Sequence, residues 1–342
     1  GQDLGFRLAM LDGEVLAATE GGEVTSIDPS TGEVRSLLNF KEYGLSTARP
    51  SPSGHALACG FADNGKSAVP VALKTATGWD IQWMGGTGLN FTELQAKDDT
   101  LFLSAGSNFV LSYDLATGQP SHTYRTGYFP SIFTGHQSLY AGGNDGVLHA
   151  FDTETGAQLW EKALTRSGAH FDRGIVAIAQ SPDGRQLAVS VLDQRPSLQI
   201  LDARTGELVR DIPIEKKVFS LTYSKDGRKL FISDYDKVSL YDLGYKKLIH
   251  SWKKPYSGTE HFVSLLNHPT RDALLGITDK ANLVEFDPNE LDVEPTVKPI
   301  VGIDSAFSMK ESGSNLIVAG DLGAYLMDTD GKVLKSYGHH LT

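Results

Sequence analysis

The stretch "AGGNDGVLHAFDTETGAQLWE", residues 141–161, reads as two short strands, a tight turn, and a third strand that closes on Trp160. Asp145-Gly146 makes one turn and Asp152 to Gly156 makes the next. The second turn recurs along the chain as "IDPSTGEV" at 27, "KTATGWDI" at 74, "YDLATGQP" at 113, "LDARTGEL" at 201, "YDLGYKKL" at 241, "FDPNELDV" at 286 and "MDTDGKVL" at 327. Counted from the second residue of each, the eight copies stand 47, 39, 38, 50, 40, 45 and 41 residues apart, a mean of about 43. A unit of roughly 40–50 residues is the length of one four-stranded propeller blade. Seven copies carry Asp at that position and the second has Thr75. An aspartate there accepts backbone amides inside the turn, and a following Thr-Gly lets the chain take a positive φ before the next strand.

A second turn signal sits at a fixed offset, in "SPDG" at 181 and "SKDG" at 224. It divides the sixth unit into strands at Phe219–Tyr223, Lys229–Ser233, Val238–Tyr241 and Lys247–Trp252. No twelve-residue stretch shows apolar positions at i, i+3, i+4 and i+7 with caps, so helix is nearly absent. The expected fold is all-β, a single β-propeller domain of eight four-stranded blades spanning approximately 3–40, 44–86, 88–127, 128–167, 169–214, 215–255, 256–300 and 301–342. An atypical first or last unit would reduce the count to seven. No outer strand is expected to be borrowed from the opposite end of the chain.

Of 342 residues, 40% are hydrophobic and 21% charged, enough apolar content for a large core without metal or disulfide. The 42 acidic against 31 basic residues leave a net charge of −11, which repels a phosphate backbone and excludes nucleic acid as the expected partner. Lys246-Lys247 with Lys253-Lys254 is the nearest approach to a basic patch. The single cysteine, Cys59 in "HALACGF", makes no internal disulfide and reads as a core residue. No apolar run approaches the roughly 18 residues of a membrane span.

The segment at 141–161 closely resembles the repeat of the pyrroloquinoline-quinone-dehydrogenase-like propellers: small residues, Asp-Gly, an alternating strand ending in Asp, Thr-Gly, and a tryptophan four residues on, here Gly156 to Trp160. "SPDGRQLAVSV" and "SKDGRKLFISD" are similar to the WD-repeat and surface-layer propellers of bacteria. The tryptophan is matched well only in the fourth unit, and Trp83 lies five residues after Gly78. The quinone enzymes of the first family use calcium and a disulfide of adjacent cysteines, which one cysteine does not supply, so no cofactor is expected. Its non-enzymatic members, such as the propeller lipoprotein of outer-membrane assembly, use the repeat as a scaffold for other proteins. The resemblance thus implies a bacterial scaffold of the periplasm or cell envelope, with the cytoplasm as the alternative.

No catalytic constellation emerges. "ESGSN" at 311 is a hairpin turn rather than a nucleophile elbow, and no metal-helix, phosphate-loop or haem-attachment motif is present. Most carboxylates fall in the repeated turns. His149 and His250 alternate within strands, His55 and His268 lie in turns, and His339-His340 point to opposite faces if in a strand. His170 and His261 differ, because "GAHFDRG" and "TEHFVSL" lie where the chain enters a blade.

In a propeller the connections from the last strand of one blade to the first of the next gather on one face around the channel mouth. These entries carry Phe6, Phe91, Tyr128 with Phe129, His170 with Phe171, Phe219, His261 with Phe262, and Phe307; the second unit has Thr47 and Arg49. One reading makes the phenylalanines apolar spacers between blades. The other makes a collar of Arg49, Phe91, Tyr128, Phe129, His170, Phe171, Arg173, His261 and Phe262 that binds a partner protein, since aromatic and arginine side chains are the usual anchors. The longest insertions, "KEYGLSTARP", "ADNGKSAVP", "TRSGAHFDRG" and "DQRPS", fall in the second and fifth units, where binding is often added. The expected function is a non-enzymatic protein-binding scaffold, monomeric on its own. The alternative is a small-ligand or tetrapyrrole-binding propeller, or an enzyme, with a site at the channel mouth and His170 or His261 as an iron ligand.

Overall fold

The computed structural model describes residues 6–11, 14–19, 23–27, 34–39, 47–50, 56–60, 69–75, 78–84, 91–105, 108–114, 117, 119–127, 131–165, 174–218, 220–234, 236–253, 260, 262–301, 303–312, 314–320 and 323–337, and before Lys97 it is chiefly a description of backbone. Among these residues the chain forms eight four-stranded antiparallel sheets and no helix. Every sheet takes four strands consecutive in sequence, here lettered a to d, so no strand is borrowed from elsewhere. The sixth comprises Ser220–Tyr223, Lys229–Ser233, Lys237–Asp242 and Lys247–Lys253, within one residue of the boundaries its turn signals predict. "ESGSN" joins strand Ala306–Ser312 to Asn315–Gly320 as an a–b hairpin.

The recurring aspartate sets the turn between strands c and d. Asp152 Oδ1 accepts from the amides of Glu154 (3.1 Å) and Thr155 (2.7 Å) and from the Thr155 hydroxyl (2.8 Å). Gly156 then takes a φ of 71°, and the pairing of strands c and d slips by one residue between Ala150 and Phe151. The same device returns at Asp114 with Thr117, at Asp328 with the amides of Asp330 and Lys332, and as the same slip at Ile200/Leu201. The a–b turn has its own lock: Ser181 Oγ donates to Asp183 Oδ1 at 2.6 Å, which also accepts the Arg185 amide at 3.0 Å. Ser224 and Asp226 repeat it with the same distances.

Burial explains why the units stack. From the third sheet on, where side chains are described, strands b and c are mostly buried, as in Leu274–Thr278, all five of whose residues are buried. Strand d is the exposed edge, as in Gln158–Ala163. A sheet buried on both faces needs apolar neighbours on both sides, and each fully buried Leu or Phe contributes about 1.5–3 kcal/mol.

By compactness the chain divides into two units. The first comprises Gly1–Ile175 with Val191–Asp193 and Arg204–Gly206, and holds the first four sheets. In it Phe102, Val110 and Tyr124 of the third sheet pack on Ile132, Leu139, Ala141 and Phe151 of the fourth. Trp160, on strand d of the fourth sheet, lies against the next c–d turn: a Cβ added to Gly206 would stand 2.6 Å from its ring. The tryptophan therefore packs on the adjacent repeat. His122 holds the equivalent place one sheet earlier, its Nε2 3.1 Å from the Glu154 carbonyl oxygen.

The second unit comprises Val176–Ser190, Gln194–Ala203 and Glu207–Thr342. Its cores join the fifth sheet to the sixth through Leu198, Ile200, Leu230 and Ile232. Trp252 and Phe231 join the sixth to Phe262, Leu274 and Phe286 of the seventh, and Leu275 and Leu283 join the seventh to Met309 and Val318 of the eighth. The turn contact recurs: Arg210 on strand d of the fifth sheet donates to the Leu243 carbonyl of the sixth c–d turn at 2.8 Å, and Lys298 of the seventh donates to Asp330 of the eighth at 2.9 Å. His268 stands where Ser181 and Ser224 stand, fully buried, its Nδ1 accepting the amides of Thr270 and Arg271 at 3.2 Å. Burial, then Arg271, hold its pKa below the ordinary imidazole value. His149 is also buried, stacked on Phe151 with rings 11° apart.

Candidate functional site: the blade entries

Among the described residues, several d-to-a connections begin beside a b–c turn and are fastened to it by backbone bonds. Leu164 N–H donates to the Gly146 carbonyl at 2.8 Å and Ile175 N–H to that of Gly143 at 3.4 Å. Ile300 N–H donates to the Ala281 carbonyl at 3.0 Å and Ala306 N–H to that of Asp279 at 3.2 Å. The b–c turns are braced by carboxylates: Asp145 Oδ1 accepts the Val147 amide at 3.1 Å, and Asp234 Oδ1 the amides of Asp236 and Lys237 at 2.7 and 3.0 Å. At the sixth entry, Lys216 pairs with Asp236, and Lys237 with Glu215 at 3.7 Å. Gly127 meets the Asp145 carboxylate so closely that a Cβ there would stand 1.9 Å from Oδ2. A larger residue one position before Tyr128 would therefore displace the carboxylate that braces this turn.

The seventh entry contains a buried acid that the reading of aromatic residues passed over. Glu260, 8% exposed, accepts the Thr278 hydroxyl at 2.5 Å and Asn282 Nδ2 at 2.7 Å, both on its Oε1. Thr278 Oγ1 in turn accepts the Asn282 amide at 3.1 Å. Burying a carboxylate is costly unless hydrogen bonds replace its hydration, so the network fixes the chain one residue before His261. Its signal in the sequence is an acid beside an aromatic pair in "TEHFVSL", followed by Thr and Asn one turn apart in "TDKAN".

The collar residues fare differently. Phe262 is 2% exposed, with its ring centroid 5.7 Å from that of Phe286 and inside the same core as Trp252. It is a spacer between the sixth and seventh sheets, which corrects its place among the exposed anchors, because a ring enclosed by core side chains has no face left for a partner. Arg49 lies in strand Thr47–Pro50 opposite Ala58, and Phe91 opens strand Phe91–Lys97 opposite Ala105; their side chains lie outside the description. Tyr128, Phe129, His170, Phe171, Arg173 and His261 lie outside the described residues, as do His55, His339, His340 and the side chain of Cys59. Among the described residues no three His, Cys, Asp or Glu side chains group as a metal site, and no helix is long and apolar enough to cross a membrane.

Consecutive four-stranded antiparallel sheets, with Asp-centred c–d turns at Asp114, Asp152, Asp242, Asp287 and Asp328, define a β-propeller. A family model described as outer membrane protein assembly factor BamB matches residues 144–290, and this match with the fold supports the pyrroloquinoline-quinone-like propeller superfamily. Among solved structures, the chain is similar to the computationally designed Ika8 protein, with a TM-score of 0.74 and 16% identity over 96% of this chain and 97% of that one. It is similar to Saccharomyces cerevisiae Sqt1, with a TM-score of 0.74 and 14% identity over 95% and 96%. It is also similar to the dihydro-heme d1 dehydrogenase NirN in complex with DHE, with a TM-score of 0.66 and 13% identity over 86% of this chain and 66% of that one. At these identities the likeness establishes the fold alone. No curated protein sequence matches the chain.

Proposed function

We propose that the protein is a non-enzymatic scaffold of the bacterial cell envelope, a single propeller domain that engages a partner protein through its blade entries. The observation that carries this reading is the family match over residues 144–290, whose description is that of an assembly factor. The entries supply a surface suited to the role. Among the described residues, Leu164 and Ile300 are bonded to the b–c turns at Gly146 and Ala281, and the Glu260 network holds the residue before His261, so these parts of the chain have little freedom left to lose on binding. Arg49, Phe91, Tyr128, Phe129, His170, Phe171, Arg173 and His261 are the proposed contacts, with the second and fifth insertions beside them.

The test is affinity capture from extracts of the native host, comparing the wild-type chain with a variant carrying Arg49→Ala, Tyr128→Ala and His170→Ala. A protein captured by the first and lost from the second supports the entries as the binding surface. Equal capture overturns it. Titration with haem separates the tetrapyrrole alternative: a new absorbance band abolished by His170→Ala or His261→Ala would replace the scaffold reading.

A further inference from the structure

On the opposite edge of the sheets, the turns of the fifth and sixth enclose a cleft of about 570 Å³ whose walls include Pro182, Gln186, Lys225, Arg228, Leu243 and Gly244. The sixth c–d turn that forms one wall departs from its siblings. Where the third and fourth copies carry Thr117 and Thr155, whose hydroxyls bond to the turn aspartate, the sixth carries Tyr245. Only its amide reaches Asp242, at 2.7 Å, and its side chain is 80% exposed. Where the fourth, fifth and eighth use Gly156, Gly206 and Gly331 at positive φ, the sixth places Lys246 at a φ of 59°. The seventh turn also lacks Thr-Gly, yet it contains no left-handed residue.

A side chain in the left-handed region is strained, and the threonine hydrogen bond is lost as well. Both losses stabilise nothing within the sheet. What they produce is an exposed aromatic ring with the Lys247 ammonium 5.8 Å from its centroid and a second lysine beside it. Breaking a local rule without a folding gain marks a functional position.

Charge identifies the ligand. Across Ser224–Lys229 and Asp242–Leu248 there are five cations, Lys225, Arg228, Lys229, Lys246 and Lys247, against two carboxylates, Asp226 and Asp242, a local balance of +3 in a chain of −11. Both carboxylates accept turn amides, which fixes where they sit while their charge stays in the balance. Lys225 donates to the carbonyls of His268 (2.7 Å) and Pro269 (3.0 Å), which hold its position without neutralising it. On the facing wall Asp183 accepts the Ser181 hydroxyl and stands 3.9 Å from Arg185, a cation that offsets it and leaves the balance at +3. We infer that this cleft and the Tyr245–Lys247 turn dock an extended acidic segment of a partner protein, the carboxylates meeting the fixed cations and an apolar side chain covering Tyr245. The surface is distinct from the blade entries and the inference does not depend on them.

The test uses the full chain and a fluorescein-labelled decapeptide of alternating Glu and Gly around one Phe, followed by anisotropy, with a Lys-for-Glu peptide as control. The acidic peptide is expected to bind and the basic one at least tenfold more weakly. Replacing Tyr245→Thr and Lys246→Gly together, which recreates the sibling turn, should weaken binding at least tenfold while leaving the melting temperature equal or higher. The Arg49, Tyr128, His170 variant should bind the peptide as the wild type does, so failure here and failure of the entry surface are distinguishable. Absence of binding, equal binding of both peptides, or full binding by the turn variant overturns the inference. So does a Tyr245-dependent dimer in sedimentation, which would make a second copy the occupant.

Discussion

Trp160 and Gly206 form a contact in which one residue's identity constrains another's. Gly206 has a φ of 71° and a ring where its Cβ would be, whereas Gly227, at 70°, meets its nearest added contact only at 3.4 Å. Gly227→Ala is therefore expected to cost the left-handed strain alone, about 1–2 kcal/mol, and Gly206→Ala a further 1–3 kcal/mol of overpacking. Urea denaturation of the two variants measures the difference, and equal losses would mean the ring yields freely. The turn carboxylates make a second prediction. Asp152 has its pKa held below the ordinary 3.8 by the Thr155 amide and hydroxyl, Asp183 by the Ser181 hydroxyl, and Asp226 by the Ser224 hydroxyl. A folded pKa below the unfolded one gives stability that is complete above the unfolded value and is lost as the pH falls through the folded one. Melting temperature should thus hold steady down to about pH 4 and then decline, and substituting all three by Asn should flatten that decline.

Between neighbouring sheets, the energetics are those of a core cut into thin layers. Phe262 touches both the sixth and seventh, so Phe262→Ala is expected to lose about 3–5 kcal/mol in denaturant-induced unfolding, while partner binding at the entries remains intact in the surviving folded fraction. Thr278→Val should cost about 1–3 kcal/mol by leaving Glu260 one donor short. The layered pattern is what made the elements legible: a turn aspartate with glycine two to four residues on fixes where strand c ends, and "SPDG" and "SKDG" fix where strand b begins. Phe262 was harder, because an aromatic residue at a blade entry looks the same in one dimension whether it faces a neighbouring sheet or solvent. Only the position of Phe286 and Trp252 across the gap decides. Glu260 was hidden for the same reason, its partners Thr278 and Asn282 lying 18 and 22 residues away in sequence. Tyr245 and Lys246 were visible as an irregularity, but their meaning rests on a φ value and on the cleft beside them.

At the scale of the molecule, a net charge of −11 governs long-range encounters. Duplex DNA is expected to show no mobility shift with the protein at micromolar concentration and physiological salt, the local balance of +3 notwithstanding; a shift would mean that the patch outweighs the background. The fold also has a sense of direction. His122 reaches the carbonyl of Glu154, Trp160 covers Gly206, Arg210 reaches Leu243 and Lys298 reaches Asp330, each time from strand d of one sheet forward to the c–d turn of the next. A repeat excised at its sheet boundaries therefore leaves with a hand extended to a neighbour it no longer has, and with a socket shaped for a different predecessor. The portable cassette is out of phase with the visible blade: it runs from one strand d through the following c–d turn, and a graft cut at those joints keeps donor and socket together.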